Sequence, residues 1–104
     1  MHRGEIWWAN LYGASGRRPV LLLSRESVYN ARSSVTVAAI TRTIRGISVE
    51  VPLGPEDGMP EKCVVNLDEI TTVLKSRLTE RITTLSQDKL AKAVKAAIFA
   101  LDLR

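Results

Sequence analysis

The sequence predicts a mainly β, α+β fold: a small, strongly curved antiparallel sheet or open barrel closed by one terminal helix. Three observations carry this expectation. Short β-prone runs follow one another as far as Thr84, separated by turns bearing Gly, Pro and Ser. Ile47, Val49, Val51 and Leu53 alternate with polar residues or proline, and from Ser86 the apolar period becomes that of a helix. Strands first and a helix last is the order of an α+β architecture. The 104 residues fit one domain, 1–104, and an apolar share of 45% is enough to bury a core.

Glu5 to Leu11 is the first strand, aromatic and β-prone, ended by the small residues Gly13 to Gly16. Pro19 to Ser24 is the second; it is too short for a helix, and its proline takes a strand's first position, where a missing N–H is tolerated. Arg25 to Ser34 is polar and mixed, a short helical turn or a loop, and Val35 to Thr41 is the third strand. Ile47 to Leu53 is the fourth, with one wet face and an edge position, since Pro52 cannot donate to a ladder. Gly54 to Pro60 is a loop. Cys63 to Leu67 is the fifth strand, extended or bent by Ile70 to Val73, then Lys75 to Leu78 makes a single turn before a short strand at Glu80 to Thr84. In the terminal helix Ser86 caps, Asp88 occupies the first turn where the helix dipole favours an acid, and Leu90, Val94, Ala97, Ile98 and Leu101 line one face. Lys89, Lys92 and Lys95 lie together on another, which reads as a solvated face.

Composition excludes several classes of function. No window reaches the roughly 20 apolar residues of a membrane span, and Met1 to Glu5 lacks the apolar stretch of a signal peptide, so a cytoplasmic protein without a membrane partner is expected. One cysteine (Cys63) and one histidine (His2), with no CxxC, HxH or HExxH, point to chemistry without a metal or other cofactor. His2 precedes the first strand, so that chemistry is expected to proceed without a catalytic histidine.

Charge is unevenly placed. Residues 1–46 hold seven basic residues, all arginine, against two acids; 47–80 hold three against seven, and 81–104 hold five against two. Arginine forks onto phosphate oxygens, so the first segment suits a nucleic acid, although a solvated basic surface accounts for the charge equally well. Two strand ends stand out as places for chemistry. In Gly13 to Pro19, small residues allow close backbone approach, and Arg17 and Arg18 follow, pointing in opposite directions by strand alternation. In Ile40 to Gly46, Thr41 and Thr43 fall on one side and Arg42 on the other. An arginine beside a threonine hydroxyl makes a phosphate clamp, since both donate to non-bridging oxygens. Threonine is also a good strand residue and arginine a common neighbour of turns.

Four stretches occur in order across nearly the whole chain: Arg3-Gly4-Glu5-Ile6-Trp7 with Asn10-Leu11 close behind; Gly16-Arg17-Arg18-Pro19-Val20-Leu21; Val37-Ala38-Ala39-Ile40-Thr41; and Thr79 to Leu85 before the closing helix. Together they resemble the MazF/PemK-like toxins of bacterial type II toxin–antitoxin pairs. The resemblance implies an SH3-like barrel of the CcdB/MazF type with a C-terminal helix, a homodimer, and metal-independent, sequence-specific cleavage of single-stranded mRNA. The substrate's own 2′-hydroxyl would attack, leaving a 2′,3′-cyclic phosphate and a 5′-hydroxyl end.

By the same resemblance the catalytic pair is Arg18, just before the proline that opens the second strand, and Thr41, which ends the third. Ser15, Arg17, Arg42, Thr43 and Asp68 are the expected RNA-binding residues, Asp68 because Asn66-Leu67-Asp68-Glu69 resembles a stretch that lines the family's RNA groove. A guanidinium, with a pKa above about 12, is a poor general base, so Arg18 is expected to act as a clamp or general acid. Some relatives carry a glutamate between the first two strands; Gly13-Ala14-Ser15-Gly16 offers no carboxylate, and the base stays unassigned. The implied partner besides RNA is an antitoxin with an acidic, disordered tail. The rival within the same fold is a CcdB-like toxin that binds DNA gyrase, which the Arg-Pro and Ile-Thr motifs fit less well.

Overall fold

The computed structural model describes residues 1–11 and 16–103. Among them are six strands, β1 (Glu5–Ala9), β2 (Arg18–Leu22), β3 (Ser34–Thr41), β4 (Glu50–Leu53), β5 (Cys63–Leu74) and β6 (Leu78–Thr84), and two α-helices, α1 (Val28–Ala31) and α2 (Gln87–Ala100). The strands make one antiparallel sheet in the order β4-β5-β3-β2-β1-β6. The edges β4 and β6 are not paired with each other, so the sheet is open. Pro52 lies in an edge strand, as its missing N–H requires. No described helix is long and apolar enough to cross a membrane.

The fifth strand bends the sheet. Ala38 of β3 lies opposite Ile70 and Ala39 opposite Asn66, so Leu67, Asp68 and Glu69 are left over on β5 as a bulge. The Leu67 N–H is satisfied by the Val49 carbonyl at 2.9 Å. Through this bend a single 12-residue strand pairs with β4 and the end of β3 in its first half and with the start of β3 in its second.

Alternation along the central strands feeds two cores. Ile6, Leu21, Ala38 and Ile40 face α2, while Ala9, Val20, Leu22, Val35 and Val37 face α1 and bury Val28 and Tyr29. Burial pushes the Tyr29 phenol up to about 12, so it stays a neutral donor to the Ser24 carbonyl at 2.8 Å.

Ser86 caps α2 as expected, accepting the Lys89 N–H at 3.2 Å. The buried face of the helix, however, is not the one its large side chains predict. Ala93 and Ala96 are the buried residues, flanked by the partly buried Leu90, Ala97 and Ala100; Val94, Ile98 and Leu101 are 40%, 45% and 54% exposed. The helix is rotated by roughly a quarter turn from the predicted phase. Small alanine side chains let its backbone seat close to β4 and β5, a packing that a ranking by side-chain size does not foresee. Lys89 is not simply solvated: its Nζ donates to the Pro52 carbonyl at 2.7 Å and lies 3.6 Å from Asp57.

β4 starts at Glu50 rather than Ile47, and Ile47 is exposed. Glu50 is buried, and its carboxylate accepts the backbone N–H groups of Arg45 and Gly46 at 2.9 Å each and Arg45 Nε at 3.1 Å. These bonds coil the chain before β4 and tie down the loop that leaves Thr41. Burial pushes the Glu50 carboxyl up, but the Arg45 and Gly46 donors more than offset it and hold the group below the usual carboxylate range.

Two expectations follow. Leu21→Ala, at a fully buried core position, should cost about 2–5 kcal/mol in urea denaturation. A depressed carboxyl stabilises the fold above the ordinary carboxylate pKa and loses that contribution as pH falls through its depressed value. Thermal melts from about pH 7 to pH 3 should therefore show the wild type and Glu50→Gln converging in melting temperature at the acid end. A gap that stays constant with pH would mean that Glu50 is not coupled to folding through its charge.

Candidate active site

The β2–β3 ladder brings the two strand ends together. Val20 pairs with Ala39, Leu21 with Ala38 and Leu22 with Val37. The same register continued toward the strand ends sets Arg18 across from Thr41. Both border a cleft whose rim also carries Arg17 and Arg42, with Trp8, Ile40, Met59 and Pro60 as its apolar wall and Glu61 and Cys63 beside them. Arg17 and Arg18 thus border one cleft, as do Thr41 and Arg42, although strict alternation sends each pair to opposite faces. Arg17 and Arg42 lie just outside the strands, where alternation no longer governs and a long side chain reaches around the sheet's end.

The three arginines differ in their commitments. Arg17 stacks on Trp8, its Cζ 4.8 Å from the ring centroid, and lies 3.5 Å from Glu80. Arg42 Nη1 donates to Glu61 Oε1 at 3.1 Å. Arg18 is exposed and has no acid partner among the described residues, so its fork of donors is open to the cleft. Thr41 Oγ1 accepts the Thr43 N–H at 3.1 Å, a turn that ends β3 and leaves the hydroxyl hydrogen to donate elsewhere.

The remaining candidates are placed as follows. Thr43 is exposed and touches the cleft only through its bond to Thr41. Asp68 is exposed in the β5 bulge, where its N–H donates to Asn66 Oδ1 at 3.0 Å, and it does not border the cleft. Ser15 lies outside the described residues, as do Gly13 and Ala14 of the same expected turn.

Sequence reasoning missed the wall formed by Met59, Pro60 and Glu61. This loop is held from both sides. Asp57 Oδ2 accepts the Gly54 N–H at 2.9 Å, Thr83 Oγ1 of β6 donates to the Asp57 carbonyl at 3.2 Å, and Lys89 of α2 reaches Asp57. Gly58 has φ +91°, and a Cβ there would run into the Thr83 side chain, so glycine is required on both counts. No local motif announces such a wall; the one signal in the sequence is the turn chemistry of Gly54 to Pro60. Burial pushes the Cys63 thiol up, and the Glu61 and Asp57 carboxylates push it further, so Cys63 is a neutral part of the wall and not a poised nucleophile. Among the described residues no group of three or more His, Cys, Asp or Glu is placed to hold a metal ion. An unpaired guanidinium, a free hydroxyl hydrogen and two further arginines suit an anionic, extended ligand.

Comparison with known proteins agrees with this architecture. Residues 2–101 match the family described as "PemK-like, MazF-like toxin of type II toxin-antitoxin system". The chain is 44% identical over 94 residues to "Probable endoribonuclease MazF2" of Mycobacterium tuberculosis, covering 89% of this chain and 90% of the relative. It is 37% identical over 101 residues to "Probable endoribonuclease MazF5" of the same species, covering 96% and 92%. Among solved structures, "Mycobacterium tuberculosis toxin MazF-mt6" superposes with a TM-score of 0.87 at 35% identity over 96% of this chain and 98% of that one. An "Endoribonuclease in complex with its cognate antitoxin from Mycobacterial species" gives 0.89 at 27% identity over 100% and 97%. With the family matched along almost its entire length, the chain belongs to the PemK-like, MazF-like toxins of type II toxin–antitoxin systems.

Proposed function

We propose that this toxin is a metal-independent endoribonuclease that cuts single-stranded mRNA at a short sequence and so inhibits translation and growth. The observation that carries this is that the open Arg18 and Thr41 border one cleft where the β2–β3 ladder ends. The scissile phosphate sits between them. The neighbouring 2′-hydroxyl attacks phosphorus, and Arg18 and Thr41 donate to the non-bridging oxygens as negative charge grows on them, where preorganised donors stabilise the transition state most. The products are a 2′,3′-cyclic phosphate and a 5′-hydroxyl end. DNA, lacking the 2′-hydroxyl, is spared.

Arg17 binds a flanking phosphate, exchanging its exposed Glu80 partner for it; Arg42 keeps Glu61 on Nη1 and offers its remaining donors to another phosphate, and Trp8 offers aromatic surface for a base. Thr43 and Asp68 extend the RNA path beyond the cleft, and Ser15 is taken as a further RNA-binding residue. The sheet is read as an SH3-like barrel left open between β4 and β6, forming one domain and working in the cytoplasm, where its substrate is. The exposed Val94, Ile98 and Leu101 on α2 and Leu74 at the end of β5 supply apolar surface for a homodimer. An antitoxin with an acidic, disordered tail suits the arginine-rich rim. Action on gyrase is not favoured, since the curated relatives are named as endoribonucleases.

Incubated with a long single-stranded RNA in excess EDTA, the protein should cut at one short motif and leave 5′-hydroxyl ends. Arg18→Ala and Thr41→Val should each lower kcat by about 10²–10³-fold while remaining folded. Intact RNA across varied sequences would refute the ribonuclease. Binding of an acidic antitoxin tail should weaken steeply between low and high ionic strength in titration calorimetry. Sedimentation at micromolar concentration should give the mass of a dimer, and a monomer would remove the assigned apolar interface.

A further inference from the structure

We propose that Glu61 is the general base of the cleavage, a role that rests on the ribonuclease activity proposed above. A guanidinium is a poor base at neutral pH and a threonine hydroxyl is poorer, so the 2′-hydroxyl proton needs another acceptor. Glu61 is the one carboxylate among the described residues that borders the cleft with Arg18 and Thr41. Asp68 does not border it, and Glu80 is turned to Arg17 on the β6 side.

The geometry suits the task. Glu61 Oε1 accepts Arg42 Nη1 at 3.1 Å, which orients the carboxylate on the cleft that Thr41 also borders, while Oε2 takes part in neither that bond nor that ion pair. The loop that carries Glu61 is anchored to β6 and α2 through Asp57, so the carboxylate stands on a tethered support despite its exposure. In the sheet order β5-β3-β2, Thr41 at the end of β3 lies between Glu61, just before β5, and Arg18, at the start of β2. An in-line displacement needs that division: the base acts on the entering oxygen at one side of phosphorus, and the leaving oxygen departs at the other.

The step balances as follows. Glu61 Oε2 takes the proton from O2′ as the O2′–P bond forms. The P–O5′ bond breaks, its electron pair stays on O5′, and O5′ takes a proton from water. The Glu61 carboxyl then returns its proton to solvent, closing the cycle. Arg42 does not touch the reacting atoms in this scheme; it is a positioning residue for the base.

The test compares wild type, Glu61→Gln and Glu61→Asp on an RNA that contains the mapped cut site, with rates followed across pH. Affinity is read separately on the same RNA carrying a 2′-deoxy sugar at the scissile position. Glu61→Gln should lower kcat by about 100-fold or more, abolish the low-pH limb of the rate profile, and leave affinity unchanged or tighter, because a negative charge has gone. Glu61→Asp should recover part of the rate together with the limb. A Glu61→Gln rate within twofold of wild type overturns the proposal, as does a slowed variant that keeps the wild-type low-pH limb. Wild-type protein that leaves RNA intact fails at the earlier step and removes the ribonuclease activity itself.

Discussion

The antiparallel register of β2 against β3 is the constraint on which the rest of the structure depends. It sends Leu21, Ala38 and Ile40 to the α2 side and Val20, Leu22 and Val37 to the α1 side, so both layers of core hang from one ladder. A slip of one residue would exchange the two sets, and every buried side chain would meet the wrong partner. The same ladder ends at Arg18 and Thr41. Core packing therefore sets the spacing of these two residues, and the pair inherits the rigidity of the sheet's central strands.

Charge at the cleft is organised by how firmly each arginine is held. Arg17 has an exposed carboxylate partner, a contact weak enough in water for a phosphate to displace, whereas Arg42 meets Glu61 through Nη1 and keeps its other donors for a ligand. Arg45 is tied to the buried Glu50 and serves the loop instead. Arg18 has no acid partner among the described residues and sits where ladder and cleft meet. Seven arginines in the first segment thus take different roles, and total charge alone does not tell them apart.

Several elements were legible because the physics that forms them is local. The alternation near Val49 to Leu53 marked an edge strand, Pro52 placed it at the edge, and Ser86 announced the helix start through its side-chain cap. The α2 phase was not legible, because alanines and larger apolar residues compete for the inner face, and the winner depends on how closely β4 and β5 approach. The β5 bulge left only an ambiguous trace, an apolar run interrupted at Asp68-Glu69, since a bend and a break leave the same pattern.

By itself the sequence determined the strand-then-helix order, the loop at Gly54 to Pro60 and the arginine-rich first segment, and it singled out Arg18 and Thr41 as candidates, all from neighbours along the chain or from motifs kept in order. Only the tertiary structure decided which residues share the cleft. It added Trp8, Met59 and Glu61, separated Asp68 from the rim, and left Arg18 open while partnering Arg17 and Arg42. The reason is physical: composition and periodicity record how a segment folds on its neighbours, whereas a cleft is formed by segments distant in sequence. Here those segments are held together by contacts such as Thr83 to Asp57 and Lys89 to Pro52, which no local pattern encodes.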